Sequence, residues 1–415
     1  MNCDEKKTDR IRVFDYIFFA VLFVLYTVVT YTLFSRQVYG SEMLYHSDMK
    51  AYILEMQGLD SGYSFPYPLF FKLAAFLHLF ISAPEISVAV AVTILNSLSI
   101  LVMKYYADKV LLPMVENWSG AKKLAAYALV TILVFALFLV SMLYTIGGIQ
   151  LPGIFRRYRG VFTPNPYHNA TYMATRPFAI MTFFVFVKVL REYEENLQGK
   201  DVVLFGAVLF LTTITKPSFT FILVPAAGLI LLYRLFRSQL QNFKNTVLVG
   251  LSFLPTFGAL LYQYAGVFTS KDGGEAGIGF GLGVSWSYHC TNIPLAIALG
   301  MAFPIAVLVL NFKELKKNDL FRFSWQITLV SLFEVLFLYE KGFRIKDVNF
   351  SWGYMHGMFF AFVASAILLF GKTCKWSENS KVQKVLLLGQ WALFLLHFGL
   401  GLLYFKTIFV GELYY

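Results

Sequence analysis

Residues 39–68 read YGSEMLYHSDMKAYILEMQGLDSGYSFPYP and hold four carboxylates, Glu42, Asp48, Glu55 and Asp60, between two apolar stretches that have no use for them. A carboxylate held at a membrane surface and backed by apolar helices can take a proton from an attacking hydroxyl or amine. Asp48 is the best placed of the four. It follows Ser47 and opens SDMKAYILEMQ, where Met49, Tyr52, Ile53 and Met56 fall at helical spacing. That pattern predicts a short amphipathic helix lying along the interface. Asp48 then sits at or beside its N-cap, so it reads either as a plain cap or as a base. Glu55 lies on roughly the same face and reads equally as a surface charge; Glu42 is weaker.

The segment 149–177, IQLPGIFRRYRGVFTPNPYHNATYMATRP, places Arg156, Arg157 and Arg159 close together. Guanidinium forks bind phosphate oxygens two at a time, so a phosphate or pyrophosphate is the economical partner, with anionic lipid headgroups as the alternative. His168, Asn169 and Arg176 follow at the mouth of the next helix, His168 as an acid–base group, a phosphate donor or an interfacial hydrogen-bonding side chain. In ITKPSF, Pro217 forces a turn and leaves Lys216 beside it, either snorkelling to the interface or neutralising a lipid-linked phosphate. The loop 271–292 is Gly-rich, but its alternating glycines follow no βαβ unit, so a nucleotide fingerprint is unsupported. A mobile loop closing over substrate and ordinary loop flexibility both fit it. The last polar segment, 340–357, combines Arg344, Lys346, Trp352, Tyr354 and His356, which suits sugar stacking as well as an interfacial aromatic belt.

These segments need a membrane scaffold to position them. The chain is 58% hydrophobic and only 14% charged, with 44 Phe and 25 Tyr and a mean hydropathy of +0.63, outside the range of soluble domains. Apolar runs of about 20 residues recur, each long enough to cross a bilayer. The fold class is all-α and polytopic, with about eleven spans (a range of ten to thirteen) at 13–34, 87–105, 123–146, 176–192, 202–215, 217–235, 245–266, 294–312, 322–340, 353–371 and 384–405. The first reads as a retained anchor and the whole as one domain, 1–415. With the N-terminus cytoplasmic, the inner segments carry 22 of the 35 Lys and Arg, so most of the +11 charge reflects topology and not nucleic-acid binding. Residues 66–83 then become interfacial or re-entrant. Cys3, Cys290 and Cys374 lack any ligand spacing.

Taken in order, YHSDMKAYILEMQ, FPYPLFFKLAAFLHLF, NATYMATRPFAIMTFFVFVKVL and LTTITKPSFTFILVPAAGLILLY resemble the GT-C integral membrane glycosyltransferases. That superfamily includes protein O-mannosyltransferases and lipid A aminoarabinose transferases. The resemblance covers roughly the first 235 residues, read as a catalytic module, with 236–415 as additional helices. It implies a polyprenyl-phosphate-linked sugar as donor and a glycan, lipid or protein acceptor. It makes Asp48 the general base of an inverting transfer, and Lys216 and Lys72 contacts to the donor phosphate. No cofactor is required, although a divalent cation is compatible. The expected location is a plasma, inner or endoplasmic reticulum membrane, with chemistry on the outer face. Two departures stand out: Ser47 and Met49 flank Asp48 where the family carries an acidic pair, and the second loop offers Arg, Asn and His where an acid is usual. An O-antigen-type polymerase is the alternative enzyme. A transporter or flippase of an anionic lipid-linked substrate is the alternative of another class, pointing to Glu334 and His78.

Overall fold

The structure is a computed structural model that describes residues 3–144, 150–268 and 277–412; Lys271 and the first residues of the Gly-rich loop lie outside them. It is a helical bundle. In chain order the helices are α1 (Cys3–Tyr39), α2 (Met49–Gln57), α3 (Leu69–His78), α4 (Pro84–Leu111), α5 (Gly120–Leu137), α6 (Ala170–Glu192), α7 (Gly199–Thr215), α8 (Ser218–Arg237), α9 (Phe243–Leu251), α10 (Leu254–Phe268), α11 (Ile293–Leu310), α12 (Asp319–Phe337), α13 (Ser351–Cys374) and α14 (Lys381–Val410). Two three-residue strands, β1 (Ile278–Phe280) and β2 (Leu338–Glu340), pair antiparallel.

Among the described residues nine helices are long and apolar enough to cross a membrane, or ten if α9 and α10, bent by 43° at their junction, form one span. The chain is a multi-pass membrane protein. The expected eleventh span, α7, has 17 residues. α3 has ten residues, about 15 Å of helix, and is too short to cross, in keeping with the interfacial reading of 66–83. Apolar side chains on α1 face outward at helical spacing, Ile17, Val21, Val24 and Val28 among them, with Val21 60% exposed. Lipid, and not water, is the solvent that such a face requires.

Sequence dictates several of the joints. Pro84 occupies the first turn of α4, where its missing N–H costs nothing. Asn169, Asn292, Asn318 and Ser380 cap α6, α11, α12 and α14 with side-chain oxygens. α11 breaks at Met301, three residues before Pro304, and the backbone groups this frees are taken up by neighbours. Leu143 N donates to Leu299 O at 2.9 Å, and Phe303 N donates to His397 Nε2 at 3.3 Å. α12 and α13 pack closely because Gly357 carries no side chain: a Cβ there would lie 2.3 Å from Ser331 Oγ.

Successive spans alternate in direction, so residues 40–83, 138–144, 150–169, 216–217, 277–292 and 338–350 gather at one end of the bundle. There the loops are tied to one another. Phe155 N donates to His289 O at 2.9 Å and Thr291 N to Gly153 O at 2.8 Å, while the Trp286 indole donates to Gly160 O at 3.0 Å. Gly279 faces Tyr339 across the strand pair, and a Cβ would lie 2.3 Å from its ring. That glycine serves close strand packing in the described part of the Gly-rich loop.

At the opposite end, buried Lys104 holds α1 to α4 by donating to Asp15 Oδ2 at 2.7 Å and to both oxygens of Asp108. Thr131 donates to the other Asp15 oxygen at 2.7 Å. Lys104→Met is expected to strand Asp15 and to cost about 3–5 kcal/mol. Thermal unfolding in detergent checks this: the Asp15→Asn/Lys104→Met double variant should melt above Lys104→Met alone.

Candidate functional site

Asp48 stands at the N-cap position of α2, yet its side chain makes no capping bond. Instead its Oδ2 accepts from Asn169 Nδ2 at 2.6 Å and from the Tyr52 hydroxyl at 3.2 Å. Among the described residues nothing donates to Oδ1. One oxygen is thus clamped and the other left open, which suits a carboxylate that must take a proton from a ligand. Tyr52, one turn further on, is held in place by Phe65, Phe70 and Phe71. Burial, with Asp48 second, pushes its phenol well above the ordinary range, so it donates and stays neutral.

Asn169 joins this acid to the rest of the site. As the N-cap of α6 its Oδ1 accepts from Tyr172 N at 2.9 Å. The same oxygen accepts from Lys216 Nζ at 2.9 Å and from Thr171 Oγ1 at 3.0 Å. Its Nδ2 donates to Asp48 and, at 2.9 Å, to Tyr52. The partners fix which end of the amide is which.

Lys216 does not snorkel. The chain is extended at Lys216, the C-cap of α7, and the side chain turns into the bundle, 7% exposed. Its ammonium also donates to Thr171 Oγ1 at 3.0 Å and lies 4.2 Å from the centre of the Trp352 ring. Among the described residues no carboxylate lies within ion-pair distance of it. Burial lowers its pKa to about 7, with the Asp48 charge opposing the shift. A buried cation without a contacting anion is a place where a ligand anion would be stabilised.

Arg159 is half-buried, and its charge reaches buried His168. The Arg159 backbone adopts φ 66°, and the same charge acts on His46, His289 and Asp347. Arg156 is exposed and acts on His289, and Arg157 is half-buried at the rim. His168 is buried edge-on against Tyr158, with ring centres 4.3 Å apart. Burial first, then the nearby cationic groups, lowers its pKa well below the ordinary range and keeps the imidazole neutral. Arg344 is paired with Glu340 at 3.9 Å and lies over Tyr63.

Two expected site residues are set deeper in the bundle. Arg176 is not at the helix mouth: it is 1% exposed, donates to Asn165 and Asn96 and is enclosed by the Phe138, Tyr167 and Phe359 rings. As the seventh residue of α6 it is carried two turns into the bundle, and its role there is to join helices. His356 lies one turn inside Trp352 on α13, fully buried and stacked on Tyr172 at 4.2 Å.

Sequence reasoning passed over Asp347. This acid interacts electrostatically with Arg159, Arg344, Asp48 and His289. Its loop is pinned where His289 Nε2 meets Lys346 O at 2.7 Å and Ser285 donates to Ile345 O. The next residue, Val348, is β-branched and buried at φ 53°, a strained backbone of the kind found where a loop must present a functional group. Its one sequence signal was an acid inside a basic segment. Trp352 and Asp347 both come from the second half of the chain, so the site draws on both halves.

No family model, curated protein or solved structure matches the chain. The site therefore stands on its geometry. Beside it, on the far side of Phe65 and Phe71, opens a cavity of about 540 Å³ lined by Glu55, Lys72, Tyr262 and the prolines that start α3. Lys72 is thus placed near the Asp48 cluster but not within it. Among the described residues no cluster of three or more metal-binding side chains occurs.

Proposed function

We propose that the protein is a glycosyltransferase that moves a sugar from a polyprenyl-phosphate donor to an acceptor on the membrane face bearing Asp48. The observation that carries this reading is the arrangement on Asn169: a carboxylate with one open oxygen at one end of the amide and a buried ammonium at the other. In the proposed step, Asp48 Oδ1 takes the proton of the acceptor hydroxyl or amine as its heteroatom attacks the anomeric carbon. The bond from that carbon to the phosphate oxygen breaks, with inversion. The leaving phosphate takes the electron pair, and Lys216 and Arg159 stabilise its charge. A phosphate leaving group needs no general acid. Asp347, close to Arg159, is suited to orienting that guanidinium. The 540 Å³ cavity, beside that phosphate position and walled by Phe65 and Phe71, suits the prenyl chain as it arrives from the bilayer.

The phosphate part of the reading is tested by melting the purified protein with polyprenyl phosphate. The lipid phosphate is expected to raise the melting temperature of wild type and to leave Lys216→Met unmoved, while the corresponding polyprenol, lacking phosphate, moves neither. Equal shifts with both lipids, or an undiminished shift in the variant, would remove Lys216 as the phosphate contact. A second reading, transport of an anionic lipid-linked substrate, has one observation in its favour. Glu334 is buried in α12 and, among the described residues, has no hydrogen-bond or ion-pair partner. Donor flux in proteoliposomes without turnover would favour it.

A further inference from the structure

At the end of the bundle away from Asp48, a second cavity of about 320 Å³ opens between α1, the end of α4 and α5. Its wall carries three hydrogen-bond donors that the fold leaves largely unused. Lys123 is 7% exposed and donates to one carbonyl, Glu116 O at 3.0 Å; among the described residues it has no carboxylate partner. Tyr127, one turn along the same face of α5, is 6% exposed, and its hydroxyl bonds to none of the described residues. Arg12, on α1, likewise has no hydrogen-bond or ion-pair partner among them. A buried ammonium with donors to spare is costly in an apolar bundle unless something accepts from it, and Tyr127 lines the same cavity.

The acids around the cavity narrow the ligand. Asp15 and Asp108 also line it, but Lys104 and Thr131 occupy their oxygens. Glu116 is exposed at the rim, and among the described residues its carboxylate has no partner. Counting Lys104 behind the wall, Arg12, Lys104 and Lys123 balance Asp15, Asp108 and Glu116, so a ligand carrying both signs and no net charge is the electrostatic match. The size falls within the range of roughly 300–1,000 Å³ usual for small-ligand pockets. Tyr16 and Met114, both exposed, mark the neighbouring surface.

We propose that this cavity binds a zwitterionic phosphoamine headgroup, with the phosphate on Arg12, Lys123 and Tyr127 and a primary ammonium on Glu116. The site is independent of the transfer chemistry at the other end. Native mass spectrometry of the purified protein, offered phosphatidylethanolamine, phosphatidylcholine and phosphatidylglycerol at equal concentration, tests it. Wild type is expected to retain phosphatidylethanolamine above the other two. Lys123→Met and Glu116→Gln should each lower that retention about tenfold or more, the effect of one lost charge-assisted hydrogen bond. Arg12→Gln changes an exposed side chain that bonds none of the described residues, so a loss there cannot be put down to misfolding. Displacement of the lipid by glycerophosphoethanolamine, the soluble phosphodiester of the same headgroup, would support the site and assign it to a soluble phosphoamine; retention against it assigns the lipid. Phosphatidylglycerol or phosphatidylcholine held as well as phosphatidylethanolamine, or variants that bind like wild type, would overturn the proposal.

Discussion

Asp48→Asn is expected to lower sugar transfer by about 10²–10⁴-fold, the usual worth of a positioned general base. The fold should survive. Asparagine keeps the shape of the side chain, and its carbonyl can still accept from Asn169 and Tyr52 where Asp48 Oδ2 does now. What it cannot do is take a proton through the open position. The melting temperature should therefore move by only a few degrees, in line with about 1 kcal/mol for each weakened hydrogen bond. Turnover of the purified variant beside its melting curve separates a lost base from a lost fold.

Lys216→Met should have the next largest effect, about 10²–10³-fold on kcat, as for removal of a group that stabilises developing charge. Methionine keeps most of the side-chain volume against Trp352. A pH profile identifies the lysine more sharply. With its pKa near 7, the ammonium of the free protein is lost as pH rises through about 7. kcat/KM should then fall on the alkaline side of neutrality, and the same limb should be missing in Lys216→Met. Stability runs the other way. The unfolded lysine holds its proton up to about its ordinary value of 10.5, so between about 7 and 10.5 the unfolded chain binds more protons and this group makes the fold more stable as pH rises. Activity falling while the melting temperature rises would be an unusual pairing, and it is specific to this residue.

Much of the scaffold is written in the sequence, because lipid enforces a simple code. Apolar runs of span length and the basic segments at one end gave helix positions close to those found, including the surface helix that begins at Asp48 and the turn at Pro217. The choice among the loop residues was harder to read. That Asp48 is more than a cap follows only once Asn169, 121 residues away, is seen to reach it. Lys216 and a snorkelling lysine look alike until α6 and α13 close around the side chain. Arg176 was misplaced because guanidinium chemistry points to ligands, whereas its position in the second turn of α6 sets it among Phe138, Tyr167 and Phe359. Asp347 escaped notice because strain at Val348 and the ties to Ser285 and His289 put it there, and none of these leaves a periodic mark in the chain.

Asp48 and Lys216 are expected to act together on one reaction. The direct measurement is the release of polyprenyl phosphate from a panel of polyprenyl-phosphate sugars, followed together with appearance of glycosylated acceptor, for wild type and Asp48→Asn. The expected result is equimolar release and transfer with inverted anomeric configuration in wild type, and neither in the variant. Donor that stays intact throughout the panel while crossing the bilayer of proteoliposomes, or transfer that Asp48→Asn leaves unchanged, would contradict it.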